Sequence, residues 1–249
     1  MTGDSGSDGD RVRRRRRRER KPAAGGGGRL VRAKGRKDSS REWLQRQLSD
    51  PYVAEAKRLG YRSRAAFKLI EIDDKYKLLK SGMRVVDLGA APGGWCQVAR
   101  ERVGERGQVV GLDLLELEPL PGVEILQGDM NEPETVDRLR ARLGGPADAV
   151  LSDMAPNATG HKRTDQLRVL AVVEAALDFA ERVLAPGGMF LAKTMQSGGT
   201  GELAARLKRE FRQVRYVKPP ASRSASAETY VLATGYRGPQ STGAPPESD

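Results

Sequence analysis

The chain has one cysteine and one histidine in 249 residues. Cys96 alone cannot close a disulfide within the chain or supply a multi-cysteine metal site, and His161 alone leaves no histidine pair for a metal or a proton relay. Aromatic residues make up only 5%, so a core must be built mainly from aliphatic side chains. No run of about 18 apolar residues occurs, which argues against a membrane-spanning helix. No apolar stretch follows the basic N-terminal residues, which argues against a secretory signal. These absences leave a cytoplasmic, metal-independent protein as the expectation. The length suits one α/β domain with extensions better than two domains.

Charge is plentiful but uneven. Residues 1–37 hold 14 Lys and Arg against Asp4, Asp8, Asp10 and Glu19, a net +10 of the chain's +11. A run of like charge cannot bury itself, so residues 1–38 read as a disordered basic arm. Its sign points to a polyanion, because neutralising phosphates releases counterions; simple solvation is the competing reading. Folded sequence is expected over 39–237, opening with a helix start at Ser39–Ser40 and an apolar stripe of Trp43, Leu44 and Leu48. Residues 238–249, rich in Pro, Gly, Ser and acidic side chains, read as a disordered tail.

Between these flanks, short apolar strands alternate with amphipathic segments. Strands are predicted at Arg84–Leu88, Val109–Leu112, Val123–Gln127, Ala149–Leu151, Met189–Lys193, Val214–Val217 and Thr229–Thr234. Helices are predicted at Arg64–Leu79, Trp95–Arg102, Glu132–Leu143, Leu167–Leu184 (stopped by Pro186-Gly187-Gly188) and Gly201–Phe211. Such alternation implies an α/β fold: a mostly parallel seven-stranded sheet with helices on both faces, binding ligands beyond the carboxyl ends of its strands.

The first strand runs into small residues, Val85-Val86-Asp87-Leu88-Gly89-Ala90-Ala91-Pro92-Gly93-Gly94-Trp95, which let a ligand approach the backbone closely. Gly89, Gly93 and Gly94 do not match the G-x-G-x-x-G spacing of dinucleotide folds. Asp113 closes the second strand, placed for ribose hydroxyls, and Asp129 follows the third, placed near an adenine amino group. This pattern points to a nucleoside cofactor without separating S-adenosylmethionine from a nicotinamide. Two lysines then stand out. Lys193 closes a buried strand and Lys68 precedes the sheet, while Asp153 ends the fourth strand and Glu228 begins the last. Buried lysines need partners, and a salt-bridged core network is the competing reading of the four.

At these residues the sequence resembles the FtsJ/RrmJ family of ribose 2′-O-methyltransferases, from about Ser40 to Tyr236. The likeness is carried by Ser63-Arg64-Ala65-Ala66-Phe67-Lys68-Leu69, Asp87–Trp95, Ser152-Asp153-Met154-Ala155-Pro156-Asn157 and Ser222-Arg223-Ser224-Ala225-Ser226-Ala227-Glu228. The resemblance implies a Rossmann-like S-adenosylmethionine-dependent fold and a Lys68, Asp153, Lys193, Glu228 catalytic tetrad with Lys193 as proton acceptor. It implies cofactor contacts from Gly93, Trp95, Asp113, Asp129 and Asp153, and no metal. The substrate it implies is a uridine ribose in large-subunit ribosomal RNA, methylated in the course of ribosome biogenesis; a monomer is the simplest expectation. Chemically, the four make sense: a ribose hydroxyl needs in-line positioning and a base. Lys193 must be neutral to accept a proton, which Lys68 and burial favour and the two carboxylates oppose. His161, Lys162, Arg163, Arg62, Arg64 and Arg223 are candidate RNA contacts. The alternatives are the same chemistry on transfer RNA or another RNA, a non-catalytic RNA-binding assembly factor, and a nicotinamide dehydrogenase.

Overall fold

The computed structural model describes residues 49–196 and 201–239, and the elements below belong to a compact unit that begins at Asp50. The arm, the helix start at Ser39–Ser40 with its stripe, and most of the tail lie outside the described residues. In chain order the elements are α1 Pro51–Leu59, α2 Ala66–Tyr76, β1 Arg84–Leu88, α3 Gly94–Val103, β2 Gln108–Asp113, β3 Glu124–Gln127 and α4 Pro133–Leu143. Then follow β4 Ala147–Ser152, α5 Lys162–Val183, β5 Leu184–Met195, α6 Glu202–Glu210, β6 Phe211–Val217 and β7 Glu228–Tyr236. The strands form one sheet in the order β3-β2-β1-β4-β5-β7-β6. Only β7 runs against its neighbours, pairing antiparallel with both β5 and β6.

Two apolar clusters cover the two faces. Even-numbered Val86, Leu88, Val150, Phe190 and Ala192 join Val231 and Ala233 against α4, α5 and α6. Val85, Ala149, Leu151, Met189 and Leu191 join Tyr230 and Leu232 against α2 and α3. Successive strand residues point to opposite faces, so continuing each series places Asp153, Lys193 and Glu228 on the α2/α3 side. Lys68 stands on α2 beside Leu69, which is fully buried in that cluster. Strand parity for three of these residues, and the placement of α2 for Lys68, thus put all four on one side of the sheet.

Two elements differ from expectation. The sequence reading assigns nothing to α1, although Asp50 accepts the Tyr52 N–H at 3.1 Å, Pro51 opens the helix and Gly60 closes it at φ +79°. That is an N-cap, an N1 proline and a left-handed C-cap. Helix α5 starts at Lys162 rather than Leu167, and it passes directly into β5. Pro186-Gly187-Gly188 is therefore not the helix stop. Leu184 pairs with Ala147 and Met189 with Ala149, so the intervening β5 residues bulge out opposite a single β4 residue, with Gly187 at φ +88°.

Candidate active site

The carboxyl ends of β1, β2 and β4 enclose a cavity of about 470 Å³ lined by Gly89, Asp113, Asp129, Met130, Met154 and Pro156, among others. A smaller cavity of about 240 Å³ opens between the glycine turn and the segment before α2, lined by Ser63, Ala65, Asp87 and Trp95. Gly89, Ala91 and Asp153 line both. The larger volume lies in the range that holds nucleoside-sized ligands. Its shape depends on a missing side chain: a Cβ on Gly89 would sit 2.1 Å from Met154 Cγ, and Gly89 has φ +70°. Asp113 braces the rim, with Oδ2 accepting the Ala91 N–H (2.9 Å) and Oδ1 the Leu115 N–H (2.8 Å). Asp129 Oδ1 takes two N–H donors from Asn131. Gly93 lines neither cavity; its Cβ direction faces Leu120 and Arg62. Trp95 is buried, lines the smaller cavity and donates Nε1–H to the Ala65 carbonyl at 2.8 Å. Carboxylates at two strand ends around a glycine cradle fit an adenosine-bearing cofactor.

Lys68, Asp153, Lys193 and Glu228 form one cluster, joined to both cavities through Asp153. Lys68 Nζ lies 2.9 and 3.0 Å from the two Glu228 oxygens and 3.5 Å from Asp153 Oδ1. Lys193 Nζ lies 2.9 Å from Asp153 Oδ1 and 2.6 Å from the Asp153 carbonyl, with Glu228 Oε2 at 4.0 Å. Burial raises the Glu228 carboxyl, but the charge and hydrogen bond of Lys68, the Ser222 hydroxyl and Lys193 outweigh it and hold the group below the ordinary glutamate value. Glu228 therefore stays ionised near neutrality.

Tyr230, expected only as part of the last strand, joins the cluster. Its hydroxyl donates to Asp153 Oδ1 at 2.5 Å and lies 3.5 Å from Glu228 Oε1, and its ring packs 5.8 Å from that of Trp95. Burial, then the charges of Asp153 and Glu228, lift the phenol well above the ordinary tyrosine value. It remains a donor throughout. Ser222 is a second addition, donating to Glu228 Oε1 at 2.7 Å. The signal for Tyr230 is its spacing from Glu228, two residues along one strand and hence on the same face.

Two of the basic residues read as candidate RNA contacts also bind the protein's own backbone. The Arg62 guanidinium donates to the carbonyls of Pro92, Glu118 and Pro119. Arg64 pairs with Asp50 at 3.0 Å and donates to the Ala221 carbonyl at 2.6 Å. Both guanidiniums thus also hold neighbouring backbone in place. Arg223 is more open, with one ion pair to Asp50 at 3.2 Å, and His161, Lys162 and Arg163 are exposed where α5 begins.

Asp87 is a separate titratable group beneath the glycine turn, where it accepts the Cys96 thiol at 3.2 Å. Burial, reinforced by Asp153 and Asp113 and opposed by the Cys96 contacts, raises its carboxyl from 3.8 to about 7. The folded chain holds this proton more tightly than the unfolded chain. Its contribution is fully present below about pH 4 and disappears as pH rises through about 7. Asp87→Asn keeps an acceptor for the thiol and removes the ionisation. Its stability relative to wild type should therefore grow between pH 4 and pH 8, by up to the order of 4 kcal/mol, as read by denaturant titrations at both pH values. A constant difference would rule out the raised carboxyl.

An open α/β sheet with a nucleoside-sized cavity beyond its strands, and a lysine–carboxylate cluster joined to it through Asp153, fits the class of α/β methyltransferases. The FtsJ-like methyltransferase family model matches residues 61–236. "Ribosomal RNA large subunit methyltransferase E" of Xanthobacter autotrophicus is 62% identical over 213 residues, covering 84% of each chain. The protein of that name from Paramagnetospirillum magneticum is 61% identical over 211 residues, covering 83% of this chain and 86% of its own. Among solved structures, a protein described as a ribosomal RNA methyltransferase from Plasmodium falciparum superposes with a TM-score of 0.63 at 30% identity. The match covers 72% of this chain and all of that one. The chain belongs to the FtsJ-like methyltransferase family, whose members are of the kind that uses S-adenosylmethionine. Among the described residues, no helix is long and apolar enough to cross a membrane.

Proposed function

We propose that the protein transfers the methyl group of S-adenosylmethionine to the ribose 2′-oxygen of a uridine in large-subunit ribosomal RNA, acting as a cytoplasmic monomer in ribosome biogenesis. The observation that carries the reading is the position of Asp153, which lines both cavities and pairs with both Lys193 and Lys68. The names of the relatives support the ribosomal substrate.

Asp113 and Asp129 would bind the ribose and adenine of the cofactor, with Gly89 and Ala91 against its backbone-facing side, Asp153 near the reacting end and Trp95 closing the smaller cavity. Gly93 would act by shaping the turn. When bound, S-adenosylmethionine supplies an electrophilic methyl on a sulfonium of charge +1. Lys193 in its neutral form would accept the hydroxyl proton at Nζ. In that form the cluster of Lys68, Asp153, Glu228 and Lys193 carries −1, which complements the sulfonium. Taking up the proton brings the cluster to zero as the cofactor loses its charge, so no uncompensated charge is left in the pocket. Tyr230 and Lys68 hold the carboxylates so that Lys193 faces the substrate.

The reading is tested by supplying radiolabelled S-adenosylmethionine with large subunits from cells lacking the protein, with small subunits and transfer RNA alongside. Label mapped to a ribose 2′-oxygen in large-subunit RNA is the expected result. Label only in transfer RNA would overturn the substrate, and no label despite cofactor binding would overturn the activity.

A further inference from the structure

The segment between β6 and β7 carries Ser222 and leads into Glu228, yet it is neither helix nor strand. Irregular backbone that is buried must find partners for its N–H and C=O groups outside any ladder. Ala221 is fully buried, and α2 and the turn before it supply both partners. Glu71 Oε2 accepts the Ala221 N–H at 2.6 Å, while Arg64 Nη2 donates to the Ala221 carbonyl at 2.6 Å. Arg64, Lys68 and Glu71 follow the i, i+4, i+7 spacing that puts side chains on one helical face. The same face therefore fixes the peptide at Ala221 and meets Glu228 through Lys68.

Each end of this bracket is itself held. Tyr52 on α1 donates its hydroxyl to Glu71 Oε1 at 2.8 Å, and Asp50 pairs with Arg64. One residue beyond Ala221, the Ser222 hydroxyl reaches Glu228 at 2.7 Å. A continuous path thus runs from α1 through Glu71 and Ala221 to the carboxylate that grips Lys68.

We infer that Glu71 is a positioning residue for methyl transfer, setting Glu228 and Lys68 through the Ala221–Ser222 peptide without touching substrate or cofactor. The inference rests on the proposed function for its kinetic readout and stands apart from it for its structural one. Lys68 and Lys193 lie 2.9 to 4.0 Å from the carboxylates, and displacements of an ångström at such a site are costly in rate.

The test compares Glu71→Ala, Glu71→Gln and Tyr52→Phe in the full chain. It measures kcat, KM for the RNA, cofactor binding by calorimetry and amide exchange by mass spectrometry. Glu71→Ala should lower kcat by between about tenfold and 100-fold, leave cofactor affinity unchanged and speed exchange selectively in residues 219–228. Glu71→Gln keeps an acceptor oxygen for the Ala221 N–H and should recover most of kcat. Tyr52→Phe keeps the ring and loosens Glu71, so it should give a smaller change of the same kind and carries the test if Glu71→Ala does not fold. Wild-type kcat in Glu71→Ala, or exchange rising evenly over the whole unit, would overturn the inference. A wild-type chain that methylates no RNA would overturn the proposed function instead, and exchange in residues 219–228 would still decide the role of Glu71.

Discussion

Replacing Lys193 with alanine should lower kcat by about 10²- to 10⁴-fold, the range that a positioned general base contributes. Cofactor affinity should stay near wild type, because Lys193 does not line the larger cavity. Its Nζ contacts are to Asp153 and Glu228. Removing it leaves Lys68 facing two carboxylates, one of them short of a cation, so a modest loss of stability should accompany the loss of rate. Lys193→Arg separates the two roles this side chain could have. Arginine keeps the positive charge and cannot give up its proton, so it should be nearly as inactive as alanine. Single-turnover methyl transfer at several pH values, with calorimetric cofactor binding as the control, makes the comparison. An active arginine variant would show that the site needs a fixed cation rather than a base.

Gly89→Ala should cost cofactor affinity about 100-fold and Tm about 5 °C. Two separate penalties act. At φ +70° an alanine pays for left-handed backbone, on the order of 1 kcal/mol. In addition its Cβ would lie 2.1 Å from Met154 Cγ and 3.1 Å from Sδ, so Met154 must swing away. Met154 already lines the cavity with Ala155 and Pro156, and the space it moves into is where the cofactor is proposed to sit. Gly144 provides the control, since it has φ +67° and nothing within 4 Å of its Cβ position. Gly144→Ala should show the backbone penalty as a smaller fall in Tm with unchanged binding. If Gly89→Ala binds cofactor as wild type does, the cavity is not the cofactor site.

That Lys68, Asp153, Lys193 and Glu228 belong together was legible from the resemblance and from the rarity of lysine where a buried strand ends, and strand parity gives the physical reason they meet. Asp153 continues Ala149 and Leu151, and Lys193 continues Met189 and Leu191, so both series end on the α2/α3 face. Tyr230 was not legible, since a tyrosine among Val231, Leu232 and Ala233 reads as ordinary core until its hydroxyl is seen at Asp153. The structural contacts of Arg62 and Arg64 were hidden for a different reason. Their partners are carbonyls of Pro92, Glu118, Pro119 and Ala221, and a carbonyl belongs to every residue, so it leaves no trace in side-chain identity. The bulge in β5 hid in the same way: Pro186-Gly187-Gly188 marks a break, and only pairing with β4 tells a helix end from a strand irregularity.

The reversed direction of β7 has a consequence for how the protein is made. Because β7 runs antiparallel to β5, its first residue, Glu228, stands opposite Met195 at the far end of β5. A residue that begins a strand thereby reaches the edge of the sheet where the other strands finish. It contacts Lys68 across 160 positions of chain, whereas the residues lining the larger cavity span only Leu88 to Val172. During synthesis the residues that line the larger cavity are all made well before Glu228, and β5 is made before β7, the strand that lies between it and β6. On the proposed function, catalytic competence would therefore be among the last properties this chain acquires as it is made.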